Sequence, residues 1–403
     1  MPSAESNWYS ELAPVGPDDM GTQEASGVQL ELSAPRALLL MGVRQTKNAL
    51  EASTANLRTG PPDDQDRTEI AARLRAARGV QPPVIAGQSP NDDADALAAQ
   101  IVARASQLVE DLRNGAALSS ISDADASAFE AVVQVRGRPA LRVEGRLEPI
   151  DDELHPGSGF WRPFFTQHET QLVEVASAAG AVVATDKLGN PPWVQGTAWL
   201  IAPDLVVTNR HVLFPPAPGV ILAARIAGEP TKARIKTNLR VTIDLAHDNG
   251  PARDMVYSIE EILYVSAETD FIDIAVFRVK PTPALGSQEP TPLVLADKAP
   301  SKGYMYVVGH PGPIKKVPEK VMAVFGSPDE RKRVSLGEIM QGGAPKAGTF
   351  LHDASTIGGY SGGCVLGFGD PRVVALHYFG HPVAGNRAFT AEALRAHDVA
   401  NYL

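Results

Sequence analysis

Ser361 stands in the run Gly358-Gly359-Tyr360-Ser361-Gly362-Gly363. Glycine lets a backbone turn sharply and aim consecutive N–H groups into one pocket. No lysine follows and no helix pattern opens after it, which sets a nucleotide cradle aside. A serine becomes a nucleophile when an imidazole takes its proton, a carboxylate holds that imidazole and backbone donors receive the oxyanion. The chemistry suggested is acyl transfer, and two further segments supply the missing groups. His211 closes GTAWLIAPDLVVTNRHVL, which reads as a strand, a turn at Pro203 and Asp204, and a second strand. Asp273 in TDFIDIAVFRV opens an apolar strand, where a partly buried carboxylate needs a partner such as a histidine ring N–H. Asp270, three residues earlier, is the rival carboxylate. Cys364, the single cysteine, lacks the glycine surroundings of Ser361 and reads as a small buried core side chain.

Together these segments, the Gly-Thr pair and Thr-Asn-x-His-Val ending, the Asp followed by aliphatics, and Gly-x-Ser-Gly-Gly, resemble the chymotrypsin/trypsin-like serine peptidases of bacterial type. The resemblance spans about residues 165–403, with the motifs in the order His, Asp, Ser. It implies an all-β double six-stranded barrel and a serine endopeptidase acting on protein or peptide, with His211, Asp273 and Ser361 as triad and the amides of Gly359 and Ser361 as oxyanion hole. It further implies a substrate pocket from Ser355, Thr356, His377, Tyr378, Phe379 and Gly380, with ALHYFG pairing its backbone to an extended substrate. Thr356 and His377 resemble the pair that glutamyl endopeptidases use for a P1 carboxylate, so Glu or Asp is the expected P1 residue. Tyr360 occupies the place where animal digestive enzymes carry an Asp for a freshly cleaved N-terminal amine; the active loop is therefore expected to form without that counter-ion. Only 42 residues follow Ser361, too few for a C-terminal peptide-binding module. No metal or cofactor is expected: His310 has a turn-forming context, and His247, His352 and His381 lack metal-ligand spacing.

What must position these residues is legible in the texture of the chain. Residues 1–65 mix Pro, Gly, Asp and Ser and read as a partly ordered segment, with VQLELSAPRALLLMGV offering a strand and a short apolar helix. Residues 66–164 read as a mainly helical regulatory or adaptor extension. Amphipathic patterns start at Thr68 and Asp93, and a third helix starts at Ser122 or Asp123 before a strand and turn in RGRPALRVEG. From 165 to 403 about ten short strands are expected, including VEVASAAGAVVAT, followed by a last helix capped by Thr390.

Residues 1–160 hold 14 Lys and Arg against 24 Asp and Glu, whereas 161–403 hold 23 of each. The acidic excess argues against nucleic acid, and Arg331, Lys332 and Arg333 read as a solvated loop. The lack of a signal peptide, of a membrane span and of any disulfide points to the cytoplasm. A regulatory protein partner through residues 1–164 is one expectation for the extension. The competing function is a catalytically silent peptide-binding module of the same fold, or a signalling adaptor.

Overall fold

Alternation of apolar and polar residues in stretches such as Leu239–Asp244 makes half-buried antiparallel strands, while Trp193–Ala202 is buried along most of its length. In the computed structural model of the protein such strands close into two barrels. The structure describes residues 60–403 apart from 79–89, 117–119, 153, 156, 217–218, 252–253, 284–288, 312–328, 341–346, 357–358 and 381–384. Residues 1–59, with the strand and helix expected around 28–43, and His381 lie outside the described residues.

Three helices come first: α1 (Asp64–Arg78), α2 (Pro90–Arg113) and α3 (Asp123–Val135). Their apolar spacing packs Ile70, Leu74, Ala98, Ile101, Val132 and Val135 into a core of their own. Ser122 caps α3 by accepting the Asp125 N–H, as its sequence position predicts. At the other end of α3, Arg136 crosses to α1. Its Nε and Nη2 donate to the two Asp66 carboxylate oxygens at 2.8 and 2.6 Å, and Nη1 and Nη2 also donate to the carbonyls of Gly60 and Pro61. Both charged side chains are fully buried.

The first barrel runs β8 (Met255–Val265), β7 (Leu239–Asp244), β2 (Ala179–Asp186), β3 (Trp193–Ala202), β4 (Leu205–Thr208) and β9 (Ala275–Pro283), and β9 returns to β8 to close it. A hairpin of β5 (Ala223–Ile226) and β6 (Glu229–Ile235) is attached to β8 through Ala233 and Ile262. The second barrel runs β11 (Arg333–Met340), β10 (Gly303–Gly309), β13 (Cys364–Gly367), β14 (Val373–Phe379), β15 (Asn386–Thr390) and β12 (Thr349–His352), closing from β12 to β11. Closure leaves neither barrel a free edge. The expected double six-stranded barrel with a helical extension is the architecture found.

β12 occupies only one end of its edge of β11, at Ile339 and Met340. The other end takes β1 (Ala140–Arg142) from the extension, with Ala140 opposite Ser335 and Arg142 opposite Arg333.

Five local expectations change. Val173–Ala178, read as the start of a strand, is the last part of helix α4 (Arg162–Ala178), whose Leu172, Val175 and Ala176 are buried at helical spacing; packing on one face outweighs the β preference of the valines. The expected boundary at 164 and 165 falls inside this helix. Strands β6, β11, β12 and β15 are additional to the ten expected. Arg331, Lys332 and Arg333 are not a solvated loop: Lys332 and Arg333 are 0% and 2% exposed, Lys332 Nζ donates to Leu245 O at 2.6 Å, and Arg333 pairs with Asp329 at 2.8 Å. The final helix is divided into α6 (Ala391–Arg395) and a 3-10 turn at Asp398–Tyr402; Thr390 caps the first part by accepting the Ala393 N–H. A four-residue helix, α5 (Arg210–Leu213), follows β4.

Replacing Asp66 by Ala leaves the Arg136 guanidinium buried without its carboxylate. We expect urea unfolding of the full chain to show a loss of about 3–5 kcal/mol; a loss below about 1 kcal/mol, the level of an exposed pair, would show that this pair does not hold the helical unit together.

Candidate active site

His211 and Asp273 are brought together by strand pairing. β4 and β9 are antiparallel neighbours with Thr208 opposite Ala275, so the residues just after Thr208 and just before Ala275 leave the barrel at the same end. There His211 Nδ1–H donates to Asp273 Oδ2 at 2.5 Å and the His211 backbone N–H donates to Oδ1 at 3.0 Å. The flanking residues reinforce the meeting. Asn209 Nδ2 donates to Asp273 O at 2.8 Å, and Arg210 Nη1 reaches Ser266 Oγ at 3.1 Å and the carbonyls of Ala267 and Asp270. Burial by itself would raise the Asp273 carboxyl. The His211 charge and hydrogen bonds, with Arg210, outweigh it and hold the group below the usual aspartate range. Asp270, the rival, is turned elsewhere: its Oδ2 accepts from His397 Nε2 at 2.8 Å. The other ring nitrogen of His211, Nε2, is buried and has no partner.

Ser361 reaches this corner from the second barrel, on a turn three residues before β13. Gly359 and Gly362 bracket it with φ of 102° and 87°, left-handed values that suit glycine. A side chain at Gly362 would stand 2.1 Å from Thr197 O and 2.4 Å from Thr208 Oγ1. At Gly196 a Cβ would lie 2.6 Å from Val212 Cγ2, next to His211 in sequence, and 3.2 Å from Ser361 O. Two absent side chains thus let the Ser361 turn lie directly against β3 and the helix of His211. Thr197 ties the approach: its N–H donates to Ser361 O at 2.8 Å, its hydroxyl donates to Gly359 O at 3.0 Å, and the same hydroxyl accepts the His310 N–H at 2.9 Å. Ser361 itself is half-buried.

The pocket residues named from the sequence lie on the far side of this turn. Gly362 N–H donates to His377 O, and His377 N–H to Gly363 O, both at 2.9 Å. Thr356 faces Gly380, where a Cβ would meet Thr356 Oγ1 at 3.1 Å and Asn386 Oδ1 at 3.2 Å. The hydroxyls of Ser355 and Thr356 are buried without a hydrogen-bond partner. His377 Nδ1 is 3.1 Å from His352 Nε2, and burial, followed by the nearby His211 charge, holds His377 down at about 3. Tyr378 is stacked on Phe389 at 3.9 Å, while Phe379 stays half-buried under the Arg387 guanidinium. Cys364 lies in the core, its thiol pushed up to about 12 by burial, which makes it a poor nucleophile.

Residues 196–376 match the family model of the trypsin-like peptidase domain. This stretch, from β3 to β14, is similar to that domain. It is 28% identical over 302 residues to a probable serine protease of Lysobacter enzymogenes, covering 68% of this chain and 75% of that protein. Similar solved structures include the active form of the Rv3671c protease of M. tuberculosis (17% identity, 58% of this chain and 84% of that one, TM-score 0.36) and the thermostable serine protease AL20 from an extremophilic microorganism (18% identity, 57% and 99%, TM-score 0.39).

Several residues that shape the site escape sequence reasoning. His352 lies on β12, a strand of only four residues, and its contact with His377 becomes visible only when β12 and β14 are placed on either side of β15. Asn386, whose Nδ2 donates to Ala354 O, is equally silent in the sequence. Thr197 had a signal in its Gly-Thr context. Among the described residues no cluster of three or more His, Cys, Asp or Glu side chains could hold a metal ion. No described helix is long and apolar enough to cross a membrane.

His377 and His310 are both buried and neutral, burial being the main cause in each. In the unfolded chain each binds a proton below about 6.5, while the folded chain resists it. Their stabilising contribution is therefore complete above about pH 6.5 and is lost as pH falls towards the folded values. Thermal midpoints measured from pH 7 to 4 should drop progressively, and His310→Leu should make that slope shallower. An unchanged slope in the variant would show that His310 charges without cost.

Proposed function

We propose that this chain is a serine endopeptidase that cleaves peptide bonds through an acyl-enzyme, with His211 as general base, Asp273 as its orienting carboxylate and Ser361 as nucleophile. The observation that carries this is the double hold of Asp273 on His211, on the ring Nδ1–H and on the backbone N–H. It fixes the tautomer, so that Nε2, buried and without a partner, is the nitrogen that accepts a proton. Ser361 Oγ attacks the substrate carbonyl as its proton passes to Nε2. The imidazolium so formed is stabilised by Asp273, which stays ionised, and then returns the proton to the leaving amine. Gly359 and Ser361 are assigned the oxyanion hole; the peptide unit that carries the Ser361 N–H is held through its Tyr360 carbonyl, which accepts the Gly363 N–H at 2.8 Å, and Thr197 holds the two flanking units through the carbonyls of Gly359 and Ser361. Water then repeats the sequence on the acyl-enzyme.

The pocket reading is a preference for Glu or Asp at P1. Ser355 and Thr356 offer two buried hydroxyls without partners, and His377 is neutral. If His352 Nε2–H donates to His377 Nδ1, the His377 Nε2–H is a third donor. Three neutral donors suit a carboxylate, whereas an ammonium or guanidinium would find hydroxyl acceptors there but no counter-charge. Asp353 is no counter-ion for a basic P1 residue, because its carboxylate is taken up by Arg138 and the Glu338 N–H.

A fluorophosphonate probe should label the wild-type chain and fail to label Ser361→Ala. Asp273→Asn should reduce kcat by about ten-thousand-fold while keeping the fold. A folded wild-type protein that takes no label would instead indicate a peptide-binding module without turnover. Cleavage of a diverse peptide library should concentrate after Glu and Asp; cuts confined to Lys or Arg would overturn the pocket assignment and leave the triad standing.

A further inference from the structure

The N-terminal extension contributes more to the second barrel than strand β1. Arg138, two residues before that strand, is fully buried. Its Nη2 lies 2.6 Å from Asp353 Oδ2 and 3.8 Å from Glu338 Oε2. Nη1 donates to Gly137 O at 3.2 Å, and Cζ stands 5.6 Å from the centroid of the Trp161 ring. Trp161 in turn donates its Nε1–H to the same Gly137 carbonyl at 2.7 Å. Gly137, Arg138 and Trp161 all precede the barrels, so a knot of extension residues delivers this cation to the second barrel.

Asp353 sits directly after β12. Its Oδ1 accepts the Glu338 N–H at 2.7 Å, and its own N–H donates to Glu338 O at 3.1 Å, so the residue is pinned to β11. Ala354 then packs its backbone on Gly337, where a Cβ would come within 2.5 Å of Ala354 N. Ser355 and Thr356, the pocket hydroxyls, follow at once. Burial, then the Asp353 charge, pushes the Glu338 carboxyl up to about 8. At neutral pH Glu338 is therefore protonated, and Arg138 and Asp353 balance each other. Tyr360, beside the nucleophile, binds Ser335 Oγ through its hydroxyl at 2.8 Å and offers no charge that could serve instead.

We propose that Arg138 is a positioning residue for the substrate pocket: by neutralising Asp353 it holds residues 353–356 in the shape that sets Ser355 and Thr356 beside His377. The extension is then a built-in part of the pocket wall rather than a detachable leader. An aspartate buried without its cation would draw in water or swing outward, and the two hydroxyls would move with it. The link to substrate rests on the pocket reading given above; the Arg138 to Asp353 pairing stands on the geometry alone.

The test compares the full-length wild type with Arg138→Gln and with the double variant Arg138→Gln/Asp353→Asn. The single variant should raise KM for the best library peptide about tenfold or more, while kcat and the rate of fluorophosphonate labelling change less than about threefold. Deuterium exchange over residues 349–356 should rise. The double variant, which removes the orphaned charge, should return KM and exchange to within about threefold of wild type. A purely structural loss would lower kcat, labelling and KM behaviour together and would not be rescued by the second change. Wild-type KM and exchange in Arg138→Gln, or a double variant as impaired as the single, would overturn the proposal. If the single variant does not fold, folding of the double variant supports the pairing and failure of both refutes it. A wild type that neither labels nor cleaves would sink the peptidase reading, with the exchange comparison still deciding the pairing.

Discussion

A buried carboxylate governs the arrangement. Asp273 is 2% exposed, and taking its charge out of water costs several kcal/mol unless both oxygens are satisfied. The structure meets that demand with the two N–H groups of one residue, His211, and this choice has consequences. The backbone contact needs the chain to bend straight after β4, which the short helix Arg210–Leu213 provides. The ring contact fixes which nitrogen faces outward. Asn209 and Arg210 spend their side chains on the loop that carries Asp273, so the geometry around the carboxylate is held from three consecutive residues.

The second constraint is steric. Strands from separate barrels cannot bring Ser361 beside this pair if side chains intervene, and the two positions at the contact, Gly196 and Gly362, have none. At this contact backbone and the Thr197 side chain exchange hydrogen bonds, beside an apolar core to which both barrels contribute. Pairing these groups offsets the cost of burying them and favours one arrangement of the contact.

How much of this the sequence discloses depends on whether the signal is local. The three motifs are local, each a short run in which the reactive side chain and its glycines or strand neighbours sit together, and the side chains of 211 and 273 meet where those runs imply. His211 meets Asp273, while Asp270 accepts from His397, 127 residues further along the chain, which no local reading could weigh. Charged residues misled for the same reason. Lys332 and Arg333 look solvated by type, yet Lys332 finds Leu245 O and Arg333 finds Asn249 Oδ1 on a distant segment, besides Asp329 four residues earlier. Strand β11 was hidden by those same charges. Helix α4 was obscured by β-branched residues whose helical spacing only matters once the second barrel is present to receive them.

Charge also explains why the extension cannot be understood from its net sign. Its acidic excess repels anions at long range and fades within about a Debye length, whereas the influence on the site that we propose passes through one buried cation. Arg138 cancels Asp353 behind the pocket, and Glu338, held neutral beside them, adds no charge of its own below about pH 8. The groups assigned to the proposed pocket are hydroxyls and a neutral imidazole. An anion entering such a space is met by donors without a competing carboxylate, whereas releasing Asp353 into it would reverse the sign of the local field. On the proposed reading, the preference of the pocket and the attachment of the extension rest on the same ion pair.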